Sequence, residues 1–548
     1  MKYQPPRFKT SPPPSGTHHH PVVVVGGGLV GLTLALDLAQ HGVKVTLLDD
    51  DDTVSVGSRA ICFAKRSLEI YDRLGLGDRL LGKGATWNQG RVFFQDREIY
   101  QFNLLPESGH KFPAFVNLQQ YHLEEWLVEA CATAGVDLRW KHRVSGVAND
   151  SDHVELTVVT EAGEYRLTTS WLLACDGARS TIREAMALPF SGKVFHDHFL
   201  IADVEMQAAF PTERWFWFDP PFNPGQSVLL HRQADNIWRI DFQLGADADP
   251  EAERRPERVI PRIKAMLGPE APFILDWVSV YTFRCRRLEK FVHGRTVFVG
   301  DAAHQVSPFG ARGGNGGIQD ADNLAWKIAA ILDGRASPAL LASYDAERIA
   351  AADENILHST RSTDFITPKS EAIRAYRDAT LLLAEHFEFA RKFVNSGRLS
   401  LPAILTHSPL NDPLSDTWPG APPLGSPPLD APIMVDGKAD WLLRHIGGAQ
   451  CTLLSFAPFG ADDLAALAKL RVAGLEVTPP TRACAGAACD HEGLVAARYG
   501  TPEGGAILFR PDQHILARWR RWDVARLAHA LDRVFAAMSL PVAEASLA

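Results

Sequence analysis

Short apolar runs, each ending at a glycine or an acid, punctuate the first 300 positions of this chain. Residues 22–25 (all valine) form a continuous apolar run, the pattern of a strand buried on both faces. A helical pattern follows at about 29–41, then a second run at 43–48 that Asp49 closes. Residues 171–175 repeat the strand pattern and lead into Asp176-Gly177-Ala178-Arg179-Ser180 and Arg183. Phe298-Val299 precedes Gly300-Asp301 in the same manner, so the pattern predicts parts of one sheet. Residues 318–332 read as a helix with Ile318, Ala321, Ala325, Ile328 and Leu332 along one face.

Between these runs, 196–284 changes character. Arg214-Trp215-Phe216-Trp217-Phe218, 227–231 and 237–244 are strand-like and rich in aromatic residues, predicting a mostly antiparallel layer inserted into the first fold. Residues 85–118 are expected to contribute to that layer. Beyond 334 the chain reads as helical, with long low-glycine stretches at 339–355 and 369–396. A proline-rich linker or wrapped arm (401–432) follows. Strand candidates then fall at 451–456, 472–477, 505–509 and 515–519, and a helix at 523–538. The expected units are a flexible lead-in (1–20), a first domain in two parts (21–195 and 285–400), the inserted sheet (196–284), the linker (401–432) and a last domain (433–548).

Composition narrows the function classes. A chain of 548 residues with 46% hydrophobic and 22% charged positions is globular and long enough for two to four domains. A formal charge of -9 offers no broad basic surface for nucleic acid, although a local basic pocket stays open. The 7 cysteines are odd in number and scattered. Cys484 and Cys489 are too far apart for a C-x-x-C pair, and no metal-ligand spacing appears. A reducing, cytoplasmic protein without structural disulfides or bound metal is expected. The first twenty residues lack a signal-peptide pattern, and glycines break 21–40 into strand, turn and helix rather than a membrane span.

Gly26, Gly28 and Gly31 carry the G-x-G-x-x-G spacing between a strand and a helix. The first suits a tight turn, the second lets a pyrophosphate approach, and the third allows close helix packing. The helix start presents free N–H groups to that phosphate. Asp49, with Asp50 as its rival, stands where a carboxylate meets a ribose hydroxyl. The acid does not choose between FAD and NAD. The second glycine-rich segment runs from Pro308 through Gly310, Gly313 and Gly314 to Asn315 and opens the predicted helix, again aiming N–H groups at whatever lies there.

Taken with Asp176-Gly177 and with Gly300-Asp301-Ala302-Ala303-His304, these motifs resemble those of the FAD-dependent aromatic hydroxylases. These are single-component flavoprotein monooxygenases related to p-hydroxybenzoate and phenol hydroxylases. The closer branch is similar to 3-(3-hydroxyphenyl)propionate and substituted phenol or catechol hydroxylases, over about residues 20–400. The resemblance implies an α/β fold: a Rossmann-like FAD-binding domain, an inserted antiparallel-sheet substrate domain, and a C-terminal thioredoxin-like domain without its redox cysteines. It implies non-covalent FAD, NAD(P)H as transient electron donor, O2 as co-substrate and a small aromatic substrate hydroxylated through a flavin C4a-hydroperoxide. A homodimer is among its expectations, and membrane insertion is not.

By the same resemblance, Asp49 binds the adenosine ribose and Arg59 lies near the pyrophosphate and the flavin ring. Gln120, or Gln119 if the register slips by one, meets the ribityl chain or pyrophosphate. Asp176 shapes the nucleotide site, Gly300 opens the ribityl motif and Asp301 accepts from a ribityl hydroxyl. Gly313, Gly314 and Asn315 border the isoalloxazine and stabilise charge on it. Pro308 is expected to offer a carbonyl near the substrate. His304 stands as either a proton relay or a packed scaffold residue. Trp215 and Trp217 share one face of their strand and Phe216 and Phe218 the other; the tryptophan pair is taken as the substrate side, alongside His231 and Arg239. Either face of the Arg239 and Asp241 strand is left open to the pocket. Arg214 is read as a solvated surface residue, with pairing to a substrate carboxylate or nitro group as the alternative, and Arg284, Arg286 and Arg287 as solvent-facing or as an aid to NAD(P)H docking. The rival reading is a flavin monooxygenase or oxidase acting on a non-aromatic substrate.

Overall fold

Three of the apolar runs become parallel neighbours in one sheet. The computed structural model describes residues 3–535 apart from 58, 209, 246, 395–398, 480–487 and 501–503. In it His18–Val25 is flanked by Val45–Asp49 on one side and Gly163–Ala174 on the other, and Thr296–Phe298 extends the sheet beyond the last. Val22, Val23 and Val24 are fully buried, as an inner strand covered on both faces requires. Helix Leu29–Gln40 packs on this sheet together with the helices Gln120–Thr133 and Gly313–Leu332.

Parallel pairing decides where the motifs go. Val25, Ala174 and Phe298 end their strands at the same edge of the sheet, the carboxyl edge. The Gly26 loop, the Asp176-Gly177 loop and the Gly300-Asp301 turn therefore emerge side by side, where open α/β sheets place ligands.

The second sheet has eight strands. Its order is His304–Gln305, Ile274–Leu288, Phe190–Glu205, Ile237–Gln243, Ser227–Arg232, Arg214–Phe218, Gln89–Phe94 and Arg97–Asn103. Pairing is antiparallel except where Arg214–Phe218 runs parallel to Gln89–Phe94. The long strands Phe190–Glu205 and Ile274–Leu288 overrun the expected limits of 196 and 284. The short strand His304–Gln305 joins this sheet directly to the turn that carries Asp301.

A third sheet of seven strands forms the last unit. Cys451–Ser455 is parallel to Val472–Thr478 and antiparallel to Ala506–Phe509, which pairs with Ile515–Trp519. Before it, residues 399–431 cross the surface without helix or strand. The lead-in does not hang free: Phe8 stacks on Trp140 with ring centroids 4.6 Å apart, and Tyr3 stacks on Tyr121 at 3.9 Å. Among the described residues Cys62, Cys131, Cys175, Cys285 and Cys451 are free thiols, no metal-ligand cluster occurs, and no helix is long and apolar enough to cross a membrane. Cys484, residues 395–396 of the predicted helix 369–396, and the end of the predicted helix 523–538 lie outside the described residues.

Candidate active site

One cavity of about 960 Å³ joins the two glycine-rich loops and the inner face of the second sheet. Gly28, Leu29 and Val30 line one end; Asp301 and Pro308 with Gly313, Gly314 and Asn315 line the middle; Arg214, His231, Arg239 and Asp241 line the other end. Its volume stands near the top of the range for small-molecule sites and its shape is extended.

The first loop is built by close approach. Gly26 adopts φ +109, and a methyl there would overlap the Cys175 carbonyl. A methyl on Gly31 would overlap the Gly26 carbonyl, so the helix seats directly on the turn. Neither glycine lines the cavity; they shape the loop from which Gly28 does. The carboxylate of Asp49 accepts from Gly27 N and, at 2.7 Å, from Asp51 N. Burial pushes its pKa up to about 6 against those hydrogen bonds.

Gln120, not Gln119, reaches the cavity. Its Oε1 accepts from Ala60 N at 2.9 Å and its Nε2 donates to Glu124 Oε1 at 2.7 Å, whereas Gln119 Nε2 turns to the Ala234 carbonyl. Glu124, absent from the sequence-based set, holds the loops together: its oxygens accept from Leu29 N at 3.1 Å and Ser55 N at 2.6 Å. Its i,i+4 spacing from Gln120 was the available signal. Arg59 lines the cavity, and its carbonyl accepts from Arg239 Nη1 at 3.1 Å, tying the dinucleotide side to the sheet.

Asp176 sits behind its loop, accepting from Ile182 N at 3.1 Å, while Gly177, Ala178 and Arg179 face the cavity. Arg183 bridges the loops by donating to the carbonyls of Ala302 and Ala178, both at 3.0 Å. Gly300 turns at φ +61 with its N–H on Asp320 Oδ2 at 3.1 Å, and this turn projects Asp301 into the cavity. Burial raises the Asp301 pKa, with His304, Arg59 and Arg183 opposing.

The structure corrects several expectations. His304 does not line the cavity: its Nε2 lies 2.6 Å from Asp320 Oδ2, and Asp320 also receives Arg348 Nε at 2.6 Å. Burial alone would raise the Asp320 pKa, yet these two partners hold it at about 2. His304 thus sits in a buried polar cluster with Asp320 and Arg348, the placing of a packed scaffold residue rather than of one facing a substrate. Asn315 spends its side chain on backbone, accepting from Ala64 N at 2.9 Å and donating to the Cys62 and Ala311 carbonyls at 2.8 and 2.6 Å. It fixes the start of helix Gly313–Leu332, leaving the first-turn N–H groups of Gly313 and Gly314 to face the cavity. The Pro308 carbonyl closes a turn by accepting from Ala311 N at 3.0 Å.

Trp215 and Trp217 face away from the cavity. Strand alternation puts them in an apolar cluster with Phe93, Phe210 and Trp238 behind the sheet, Trp217 stacking on Phe93 at 5.0 Å. The cavity side of that strand belongs to Arg214, which is only 7% exposed and is not a surface residue. On the neighbouring strands the same face carries Leu229, His231, Arg239, Asp241, Tyr281 and Phe283. Arg239 pairs with Asp203 at 3.1 Å. Burial, helped by Arg214 and Arg239, drives the His231 pKa well below its ordinary value, so that ring is neutral. Of the basic cluster near 285, Arg284 lines the cavity, Arg286 donates to Gln305 at 3.0 Å and Arg287 pairs with Asp353 at 2.5 Å.

The residues present fit a flavin dinucleotide. Two helix N-termini and a carboxylate face one extended space, and a side-chain-free glycine forms its lip. The FAD binding domain family matches residues 19–359, and the chain belongs to that family, whose members among its relatives are FAD-dependent aromatic hydroxylases. It is 30% identical over 529 residues to the 6-methylpretetramide 4-monooxygenase of Streptomyces rimosus, covering 92% of this chain and 91% of that one. It is 31% identical over 335 residues to the para-nitrophenol 4-monooxygenase of Pseudomonas sp. (strain WBC-3), covering 59% of this chain and 80% of that one. Its fold is similar to that of the flavin-dependent monooxygenase PieE, solved with FAD and substrate, with a TM-score of 0.79 at 22% identity over 95% of this chain and 100% of that one. The protein is therefore a flavoprotein of the monooxygenase class with FAD as its cofactor.

Proposed function

We propose that this protein hydroxylates a phenolic ring, consuming O2 and a reduced nicotinamide nucleotide. The observation that carries the reading is the single cavity in which the dinucleotide loops and a mixed polar and apolar sheet face meet. When bound, FAD supplies electron transfer from NAD(P)H and activation of O2. The chain's own residues bind, orient and exclude water. Gly28, Asp49, Arg59 and Gln120 would hold the adenosine and pyrophosphate half. Asp301 would accept from the ribityl chain, and the N–H groups of Gly313 and Gly314 would meet negative charge on the ring. Leu229, Phe283 and Phe309 would wall an aromatic substrate away from water, and Arg214 would face its oxygen-bearing edge. Alignment with the 6-methylpretetramide relative extends over 92% of the chain, which supports a fused-ring phenol within the class.

On this reading 21–195 and 285–400 form the FAD domain and 196–284 the substrate sheet. Residues 433–548 are a thioredoxin-like unit whose task is packing rather than thiol exchange. Replacement of Asp301 tests the cofactor assignment. D301A is expected to purify without FAD and R214A to keep it, read from the flavin absorbance of each preparation; full FAD occupancy in D301A would contradict the assignment.

A further inference from the structure

Charge on the cavity face of the second sheet does not pair off internally. Three strands contribute ionic groups there: Asp203, Arg214, and Arg239 with Asp241. Arg239 is spent on Asp203 at 3.1 Å and on the Arg59 carbonyl at 3.1 Å. Asp241 lines the cavity and its Oδ1 is buried without a hydrogen-bond partner. Arg214 lines the same cavity on the strand two places away, with His231 of the intervening strand directly opposite it. Two strand spacings and a two-residue offset along the strands put the Asp241 and Arg214 backbones roughly 12 Å apart, so that long side chains reach toward one another across the cavity floor. A buried carboxyl oxygen left unbonded beside a cavity is costly unless a ligand completes it.

The geometry points to Asp241 as the base that takes the phenolic proton of the substrate. This rests on the proposed phenol hydroxylation. The substrate O–H bond breaks, its electron pair stays on the substrate oxygen, and the proton bonds to a carboxylate oxygen of Asp241. The ring gains the electron density that oxygen transfer requires, and Arg214 faces the new negative charge. The carboxyl returns its proton when product leaves. His231, held neutral, offers a hydrogen bond but no charge.

The groups facing Asp241 are Arg239 on its own strand, Arg214 and Asp203 on other strands of the sheet, Tyr281 beyond them and Cys62 from the dinucleotide side. Burial raises the Asp241 pKa to about 6, with Arg239 and Arg214 opposing and Asp203 assisting. A base with that pKa is ionised at neutral pH and still basic enough to accept a proton.

The test uses FAD-loaded enzyme and the phenol that the wild type hydroxylates best. Wild-type product formation is expected to rise with pH through an ionisation near 6. D241N is expected to keep FAD, to be reduced by NAD(P)H at a wild-type rate, to lose hydroxylated product by about 100-fold or more and to lose that limb of the pH profile. D241E is expected to retain the limb. A D241N enzyme with the wild-type profile and product rate would overturn the inference while leaving phenol hydroxylation standing. Should D241N fail to hold FAD, the wild-type profile decides: a flat response between pH 5 and 7 overturns the assignment, and a titrating one supports it. A wild type that hydroxylates no phenol would overturn the underlying reading, and this inference with it.

Discussion

At the scale of single residues, the site trades stability for reactive groups. Asp241 titrates at about 6 in the fold against 3.8 when free, because burial outweighs its arginine neighbours. The folded state therefore holds this proton more tightly than the unfolded chain does. Stability is full below about pH 4 and falls as pH rises through about 6. At pH 8 the ionised carboxyl costs the fold up to about 3 kcal/mol. D241N should thus melt higher than wild type at pH 8 and equally at pH 4, as scanning calorimetry at the two pH values would register. A variant both more stable and less active is the expected signature of a functional group held in an unfavourable place. Placement at the cavity was legible only where a motif fixed it. Gly28, Asp301 and Gly314 reach the cavity, whereas the choice between Trp215 and Arg214 depended on which face of a strand points inward. Alternation alone does not say which. Asp320 carried a signal of its own, being an acid beside the apolar stripe of Ile318 and Ala321, a position that demands a buried partner.

Elements were easier to read than side chains. The runs at 22–25, 171–175 and 298–299 are apolar without alternation, and the strands that hold them run parallel in the sheet whose carboxyl edge carries the loops. The limits of the second sheet were harder, because Phe190–Glu205 and Ile274–Leu288 alternate only in part and their ends run past the cavity. The decisive contact between elements is the seat of helix Leu29–Gln40 on the Gly26 turn. G31A would force a methyl into the Gly26 carbonyl, a backbone atom that cannot swing aside. We expect a loss of roughly 1–3 kcal/mol by urea denaturation together with weakened FAD binding. Unchanged FAD affinity in G31A would show that the turn is not part of the dinucleotide site.

Across the whole molecule, the last unit grips helix Leu341–Ile366 at Glu347 and, through Asn323 donating to Asp512 at 3.3 Å, the helix whose first turn faces the cavity. Arg510 pairs with Glu347 at 2.5 Å and also with Asp512, while Lys327 reaches Glu347 at 2.8 Å, all four fully buried. Arg66 adds a link from the dinucleotide side, donating to Gln513 Oε1 at 2.7 Å and pairing with Asp322 at 2.9 Å. Removing one member leaves buried charge uncompensated, so R510A should cost about 3–5 kcal/mol and split a single unfolding transition into two. None of this network was visible in sequence, because its members are up to 447 positions apart and no local pattern links them. The central proposal for this molecule is that the cavity joining the two loops carries out ring hydroxylation. The most direct measurement is product analysis after incubating the FAD-loaded protein with NAD(P)H, O2 and a panel of single-ring and fused-ring phenols. A hydroxylated ring formed in proportion to the nucleotide consumed is expected for at least one of them; nucleotide consumption that yields only peroxide across the panel would overturn the proposal.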